Sequence, residues 1–447
     1  MTDASQSLDL LDSLLAKAKA GGAEAADAVM VESTSLSHAQ RLGALEKLER
    51  EESHDLGLRV LIGKRQAIAS TTDTAPAALE ALVERAVAMA RAVPEDLHCG
   101  LAEPGQLADS IPELDCLDAD EPAPETLIER ARACEEAARA VPGITNSEGA
   151  EAGWDHSAIV LAASNGFRGS YEVSRHAVGV SVLAGEGLEM ERDYEFMTAV
   201  YGADLDDPAE IGRRAGERTV KRLGARKPET GKVTIVYDPR VSGSLLRHLA
   251  GAINGVSIAR DTSFLKDRLG EPVFAPGITV IDDPHRPRGL RSKPFDGEGV
   301  GNRRRALIDD GRLTTWILDL RSARQLGLET TGHAARGTAS PPSPAITNLY
   351  LEPGEKSPEA LIGEIDQGFY VLEMMGMGVN GVTGDYSRGA AGFWIEKGEL
   401  AYPVSEVTIA GNLKEMFAKA TPADDLTFRY GVDSPTVRVD GMTVAGA

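Results

Sequence analysis

Apolar positions recur at helical spacing at Leu8, Leu11, Leu15 and Ala18, and Gly21-Gly22 ends the run. The spacing predicts a first helix over 8–20. From Ala26 to Ser70 the texture turns extended: Asp27-Ala-Val-Met-Val-Glu, then Leu45 to Arg50, then Gly57-Leu-Arg-Val-Leu-Ile, with a turn at Gly63-Lys64. Several short strands in a meander are expected there. Thr74 is positioned to cap a helix with Pro76 in its first turn, and Leu79, Leu82, Val83, Ala86 and Met89 form its apolar stripe up to Pro94. Residues 101–124 are rich in acids and prolines and lack periodicity, which predicts a long surface connection.

The next helix, over 125–141, places Leu127, Ala131, Cys134 and Ala138 on one face, so Cys134 reads as a small core residue and not as a nucleophile. Strands follow at 158–163, 171–183 and 188–201, the first two joined by an Asn165-Gly166 hairpin whose residues both accept positive φ. Asp207-Pro208 opens a helix that runs to about Leu223. The polar stretch Arg226-Lys-Pro-Glu-Thr-Gly-Lys232 reads as a domain boundary. Beyond it come a strand at 233–237, a helix from about Val241, a hairpin around Asp310-Gly311, a helix opened by Ser357-Pro358, and a strand-like, glycine-rich final hundred residues. The expected class is α+β. An amino-terminal domain over 1–226 has antiparallel sheet with helices on one side and is divisible near 100–124; a β-rich α+β domain occupies 232–447.

Composition narrows the function classes. The 447 residues are enough for about three structural units. With 42% hydrophobic and 26% charged residues the chain can bury a substantial core, and no apolar run approaches the ~18 residues of a membrane-spanning helix. The start, Met1-Thr2-Asp3-Ala4-Ser5, lacks the basic-then-apolar pattern of a secretory signal, and Cys99, Cys116 and Cys134 form no Cys-x-x-Cys pair. A cytoplasmic setting with free thiols is expected. The 47 basic against 69 acidic residues leave a net charge of −22, which disfavours nucleic acid as the main partner.

The candidate chemistry is sparse. None of the eight histidines (His38, His54, His98, His156, His176, His248, His285, His333) is followed by glutamate, and no two lie three to five residues apart. The paired imidazoles and adjacent carboxylate of a zinc peptidase helix are therefore missing. Gly376-Met-Gly378-Val-Asn-Gly381 matches the dinucleotide fingerprint in letters, but it leads into turn and strand, where no helix amides await a pyrophosphate. Ser263-Phe-Leu-Lys266 imitates an acylating pair without the companion motifs. Between Arg286 and Arg305, the seven cations Arg286, Arg288, Arg291, Lys293, Arg303, Arg304 and Arg305 face only Asp296 and Glu298. That run suits an acidic partner or a peptide carboxylate, or else a loop paired with the protein's own acids. The glycines of 376–398 mark either a surface that receives an extended peptide or crowded packing within one core.

Near the carboxyl terminus the sequence becomes specific. Val379-Asn-Gly-Val-Thr-Gly-Asp385-Tyr-Ser-Arg-Gly-Ala-Ala-Gly392-Phe-Trp-Ile-Glu-Lys-Gly398, followed by Tyr402-Pro-Val-Ser-Glu-Val-Thr-Ile-Ala-Gly-Asn412-Leu, resembles the signature of the TldD/PmbA family on its PmbA (TldE) side. Gly57-Leu-Arg-Val, the strand at 233–237 and Pro344-Ala-Ile-Thr-Asn348-Leu-Tyr fit the same family. The resemblance implies a cytoplasmic metallopeptidase-family protein of bacteria or archaea. In that family a TldD-type chain carries zinc on a His-Glu-x-x-x-His helix and pairs with a TldE-type chain, in peptide-antibiotic maturation and degradation of unfolded, antitoxin-like polypeptides. Here the corresponding helix reads Leu245-Leu-Arg247-His248-Leu-Ala-Gly251-Ala252, with Arg247, His248 and Ala252 at the motif positions, and 423–439 lacks the family's cysteine. Arginine stays protonated and alanine has no donor, so zinc is expected in a TldD-type partner and not in this chain. Leu245, Leu246, Leu249, Ala252, Ile253 and Val256 form an apolar stripe, a helix kept for packing.

The resemblance thus implies a non-catalytic subunit that binds peptide or unfolded polypeptide beside its catalytic partner. Arg288, Arg291, Arg303, Arg304, Arg305, Gly376, Gly378, Asn380, Gly381 and Asp385 are the candidate contact residues. The alternative is a metal-free homodimer that binds peptides or acts as a chaperone. A hydrolase built on Ser263 and Lys266 is a third reading.

Overall fold

The computed structural model describes residues 3–446; Met1 and Thr2, part of the amino-terminal signal reading, lie outside the described residues. Helix α1 (Ala4–Ala20) is capped by the Asp3 carboxylate. Three antiparallel strands follow, β1 (Ala25–Arg41), β2 (Ala44–Ile62) and β3 (Arg65–Thr71), and then α2 (Pro76–Ala92). After the 101–124 connection come α3 (Pro124–Arg139), β4 (Ile144–Ala163), β5 (Arg168–Ala184), β6 (Glu191–Ala199) and α4 (Pro208–Lys221). The six strands make one antiparallel sheet in the order β3-β2-β1-β4-β5-β6, two three-stranded meanders joined through β1 and β4.

Strand periodicity decides which face each layer covers. Ala28, Met30 and Leu36 of β1 share one parity; the first two pack with Leu11, Leu82 and Ala86 of α1 and α2, and Leu36 packs with Leu127, Ala131 and Ile211 of α3 and α4. All four helices therefore lie on one face. Helices α3 and α4 approach closely because Gly212 has no side chain: a Cβ there would sit 2.0 Å from the Cys134 carbonyl oxygen. Val29, Leu161, Ala163 and Phe167 point to the other face, against Phe295 of the carboxyl-terminal half.

That half begins with β7 (Gly231–Tyr237), α5 (Pro239–Ala252) and α6 (Gly255–Ala259). It continues through β8 (Val280–Asp283), β9 (Arg305–Asp309), β10 (Arg312–Leu313), α7 (Leu320–Leu326), β11 (Ala334–Ala335), β12 (Ser343–Pro344), β13 (Asn348–Leu351) and α8 (Pro358–Gly363). It ends with β14 (Gln367–Met375), β15 (Asp385–Glu396), β16 (Glu399–Asn412), α9 (Leu413–Ala418), β17 (Ala420–Pro422), β18 (Val432–Asp433) and β19 (Val437–Ala445). One sheet runs β10-β9-β8-β13-β18. A two-stranded sheet joins β11 and β12, and a six-stranded sheet runs β16-β15-β14-β7-β19-β17; β16 and β19 also pair, over Thr408–Ala410 and Thr443–Ala445, so five of its strands close on themselves. Closure removes the open edges that a flat sheet would expose. Helix α5 packs against strands of both larger sheets, and Leu245, Leu246, Leu249 and Ala252 enter their shared core. The chain is α+β, with two parallel strand pairs, β7–β14 and β13–β18, in the carboxyl-terminal half.

Several local expectations are corrected. The 26–70 segment holds three strands, two of them 17 and 19 residues long, in place of several short ones. Polar alternation hid their continuity, because residues 44–52 of β2 are exposed. Likewise β4 starts at Ile144, fourteen residues before the expected 158, in a small and polar stretch that is extended because β1 and β5 flank it. The cap position of α2 is Ala75, not Thr74, and Met89 is 41% exposed because the buried face runs on through Val87 and Ala90. At the β4–β5 turn only Gly166 takes positive φ; Asn165 instead accepts a hydrogen bond from the Phe167 amide through its side chain. By contrast Asp310 and Gly311 both adopt positive φ, as a type I′ hairpin requires. Val256 leaves the α5 stripe, because the Asn254 side chain caps a separate helix at the Val256 amide.

Candidate functional site: a cationic cavity on helix α5

Asp238 starts α5 by accepting a hydrogen bond from the Arg240 amide at 2.9 Å, and the Tyr370 hydroxyl donates to its other oxygen at 2.7 Å. With that start fixed, helical spacing puts Arg240, Gly243, Ser244 and Arg247 on one face, opposite the buried leucines. This face borders a cavity of about 940 Å³ between β5 and β6 on one side and the carboxyl-terminal half on the other. Its walls carry the cations Arg175, Arg192, Arg240, Arg247, Arg291, Lys293, Arg388 and Arg429, and one carboxylate, Glu373. Glu373 is already engaged by Arg222 at 2.8 Å. Tyr194, Phe196, Leu290, Ile346, Tyr430 and Val432 add an apolar and aromatic lining.

The cations differ in how well they are matched. Arg240 donates to Asp193 at 2.9 Å and lies 4.3 Å from the centre of the Tyr194 ring, yet its Nη1 is buried with no hydrogen-bond partner. Arg175 donates to the Leu290 carbonyl at 3.0 Å. Among the described residues no carboxylate forms a salt bridge with Arg247, Arg291 or Arg388. Burial first, then the neighbouring charge of Arg247, lowers the Arg291 pKa against the pull of Asp282, with Arg175 adding a smaller push downward. Lys293 is pushed down by burial and donates to the Ala334 carbonyl at 2.8 Å.

The three positions of the expected zinc motif diverge. Arg247 opens into the cavity, His248 lies edge-on to Tyr386 with ring centres 5.9 Å apart, and Ala252 is in the core. Burial, then Arg388, pushes His248 down to about 4, so it is a neutral imidazole near pH 7. A guanidinium, one imidazole and a methyl group do not fit a zinc ion, and no cluster of three His, Cys, Asp or Glu suited to a metal occurs among the described residues. Ser263 and Lys266 are occupied otherwise: the Ser263 hydroxyl donates to the Ala252 carbonyl, and Lys266 pairs with Asp261 at 2.6 Å.

The basic run 286–305 does not form one patch. Arg288 pairs with Asp115 at 2.6 Å and Asp204 at 3.0 Å, and Arg304 reaches Glu352 at 3.5 Å. Arg303 is exposed and Arg305 half-buried; of the five arginines proposed from sequence, only Arg291 lines the cavity. The glycine-rich residues build the turn into β15, away from the cavity walls. Gly376 takes φ +76°, and a Cβ on Gly378 would meet the Ser387 carbonyl at 2.1 Å. Asn380 accepts from the Val382 amide at 2.9 Å, the Gly381 carbonyl accepts from the Phe264 amide at 3.0 Å, and Asp385 accepts from Asn412 at 3.0 Å. Arg175, Arg240 and Arg388 were missed in the sequence. The spacing of Arg240, Ser244 and Arg247 was a readable signal; the convergence of β5, β15 and α5 was not.

Comparison with known proteins follows the same outline. Family models described as PmbA/TldA metallopeptidase domain 1, central domain and C-terminal domain match residues 26–90, 117–223 and 230–446. The chain is similar to Metalloprotease PmbA of Escherichia coli O157:H7, 39% identical over 434 residues, 97% of this chain and 94% of that one. It is also similar to a PmbA homolog of Haemophilus influenzae, 34% identical over 96% of this chain and 93% of the relative. Among solved structures, a proposed modulator of DNA gyrase from Bacteroides thetaiotaomicron superimposes with TM-score 0.91 at 28% identity, covering 100% of both chains. TldE from Thermococcus kodakarensis shares the fold, with TM-score 0.88 at 22% identity over 98% of this chain and 100% of that one.

Proposed function

Because the chain belongs to the PmbA/TldD metallopeptidase family, we propose that it is the TldE-type, non-catalytic subunit of a heteromeric zinc protease in the cytoplasm. One observation carries the reading: Arg247, His248 and Ala252 diverge on α5 and offer zinc no ligand set, while the same helix floors a cavity large enough for a peptide. In this role a TldD-type partner supplies the zinc and the hydrolysis. This chain's residues hold and orient the peptide or unfolded polypeptide, including peptide-antibiotic precursors and antitoxin-like chains. Arg247 and Arg291 offer planar donor pairs to carboxylates, and the Tyr194, Phe196 and Tyr430 rings exclude water from apolar side chains.

The test is metal analysis and a cleavage assay on the purified chain, alone and after mixing with a TldD-type partner. The expected result is substoichiometric zinc and no cleavage alone, with chelator-sensitive cleavage after mixing. Cleavage by the lone chain that survives chelation overturns the reading. A second reading is a metal-free homodimer that binds peptides or acts as a chaperone through the same cavity. Mass measurement of the native complex, with and without the partner, separates the two.

A further inference from the structure

We propose that the cavity on α5 is a carboxylate-recognition subsite for an extended peptide segment bearing acidic side chains. The proposal rests on the reading of the chain as a peptide-handling subunit and names the class of peptide.

Three observations converge on it. Arg247, Arg291 and Arg388 come from a helix, a loop and a strand, and no acid forms a salt bridge with them among the described residues. Arg388 Nε and Ser244 Oγ are buried with no hydrogen-bond partner, and both residues border the cavity. Buried donors are normally satisfied, so unsatisfied ones around a cavity mark the place of a missing acceptor. Finally, the protein carries a net charge of −22 yet gathers eight cations around this one space. A random draw from 47 basic and 69 acidic residues would put slightly more carboxylates than cations around the cavity. An incoming carboxylate offsets the burial and the Arg247 repulsion that together lower the Arg291 pKa, and the guanidinium forks fit its two oxygens.

The cavity's size and lining specify the rest of the ligand. A volume of about 940 Å³ exceeds the need of one small anion, and Tyr194, Phe196, Tyr430 and Val432 give apolar side chains a place between the charges. Arginine with aromatic rings also suits single-stranded nucleic acid. The −22 field repels a polyphosphate chain far more than a segment with two carboxylates, so the peptide is favoured.

The experiment uses the full chain without a partner. Fluorescence anisotropy compares a rhodamine-labelled octapeptide containing two glutamates with the isosteric peptide containing two glutamines. The glutamate peptide is expected to bind about tenfold more tightly at low ionic strength, a preference that shrinks as salt is added. Arg247→Gln and Arg291→Gln, both open to the cavity's water, should each remove most of that preference, whereas Arg213→Gln on exposed α4 should leave it intact. Circular dichroism checks that each variant is folded. Equal affinities for the two peptides, or a preference that survives in R247Q and R291Q, overturns the proposal. Displacement of the peptide by oligothymidylate at lower concentration than by unlabelled glutamate peptide overturns it in favour of nucleic acid. Equal affinities alongside intact partner-dependent cleavage would sink the acidic subsite and leave the subunit reading standing.

Discussion

Two charged regions, one buried and one lining an open cavity, lie on the same side of the amino-terminal sheet and are built on opposite terms. In the first, Asp27 on β1 and Arg59 on β2 are cross-strand neighbours, each under 4% exposed, and the carboxylate also receives Arg336 at 2.5 Å. Glu298 lies 3.8 Å from Arg59 and accepts from the Leu320 amide at 2.9 Å. Burial works to raise Asp27, but Arg336 and Arg59 outweigh it and hold its pKa below the usual range. In the second region, the cavity on α5, Arg192, Arg240 and Arg429 reach Glu148, Asp193 and Glu195, but Arg247, Arg291 and Arg388 form no salt bridge among the described residues. Ion pairs to Asp27 link the sheet to the carboxyl-terminal half, whereas the unpaired arginines of the cavity are open to water. The difference shows that buried charge alone does not reveal a site. The uncompensated sign does.

The contrast breaks most visibly at Asp27. Asp27→Asn leaves Arg59 and Arg336 buried without their shared counter-charge, and should cost about 3–5 kcal/mol. Urea unfolding checks it, and a loss below about 1 kcal/mol would mean that the network does not hold the two halves together.

A smaller effect belongs to His248, which burial beside Tyr386 and the charge of Arg388 keep neutral. Its folded pKa of about 4 lies below the unfolded value of 6.5, so the unfolded state binds the proton first as pH falls. Its stability contribution is whole above pH 6.5 and lost as pH drops toward 4. Allowing for its partial exposure, that loss is about 2 kcal/mol. His248→Gln should flatten the pH dependence by this amount in thermal melts at pH 7 and pH 4.5; parallel curves for both proteins would refute it.

The smallest change is expected at Arg247. Removing an unmatched charge breaks no ion pair, so R247Q should shift stability by no more than about 0.5 kcal/mol. A large loss in the same urea assay would move Arg247 from the ligand-binding region to the structural one.

Particular elements show how far the sequence could be read. Asp207 before Pro208, Ser357 before Pro358 and the Asp310-Gly311 turn were legible because caps and turns are settled within four residues. The first half of β4 was not, since its small polar residues become a strand only between β1 and β5. Of the site, Arg291 and the Arg247 position were visible as types, but nothing local distinguished Arg291, which faces the cavity, from Arg288, which pairs with Asp115 and Asp204.

By itself the chain order determined helices α1 to α5 and α8, the main turns, the family signature of 379–413 and the replacement of donor side chains on α5. Each depends on neighbours a few residues apart or on the identity of a single side chain. Only the tertiary structure decided that β16 and β19 close the ring and that Arg175, Arg247, Arg291 and Arg388 surround one space. Those outcomes depend on pairing and burial between segments tens to hundreds of residues apart, where the energy lies in the contact and not in either sequence alone.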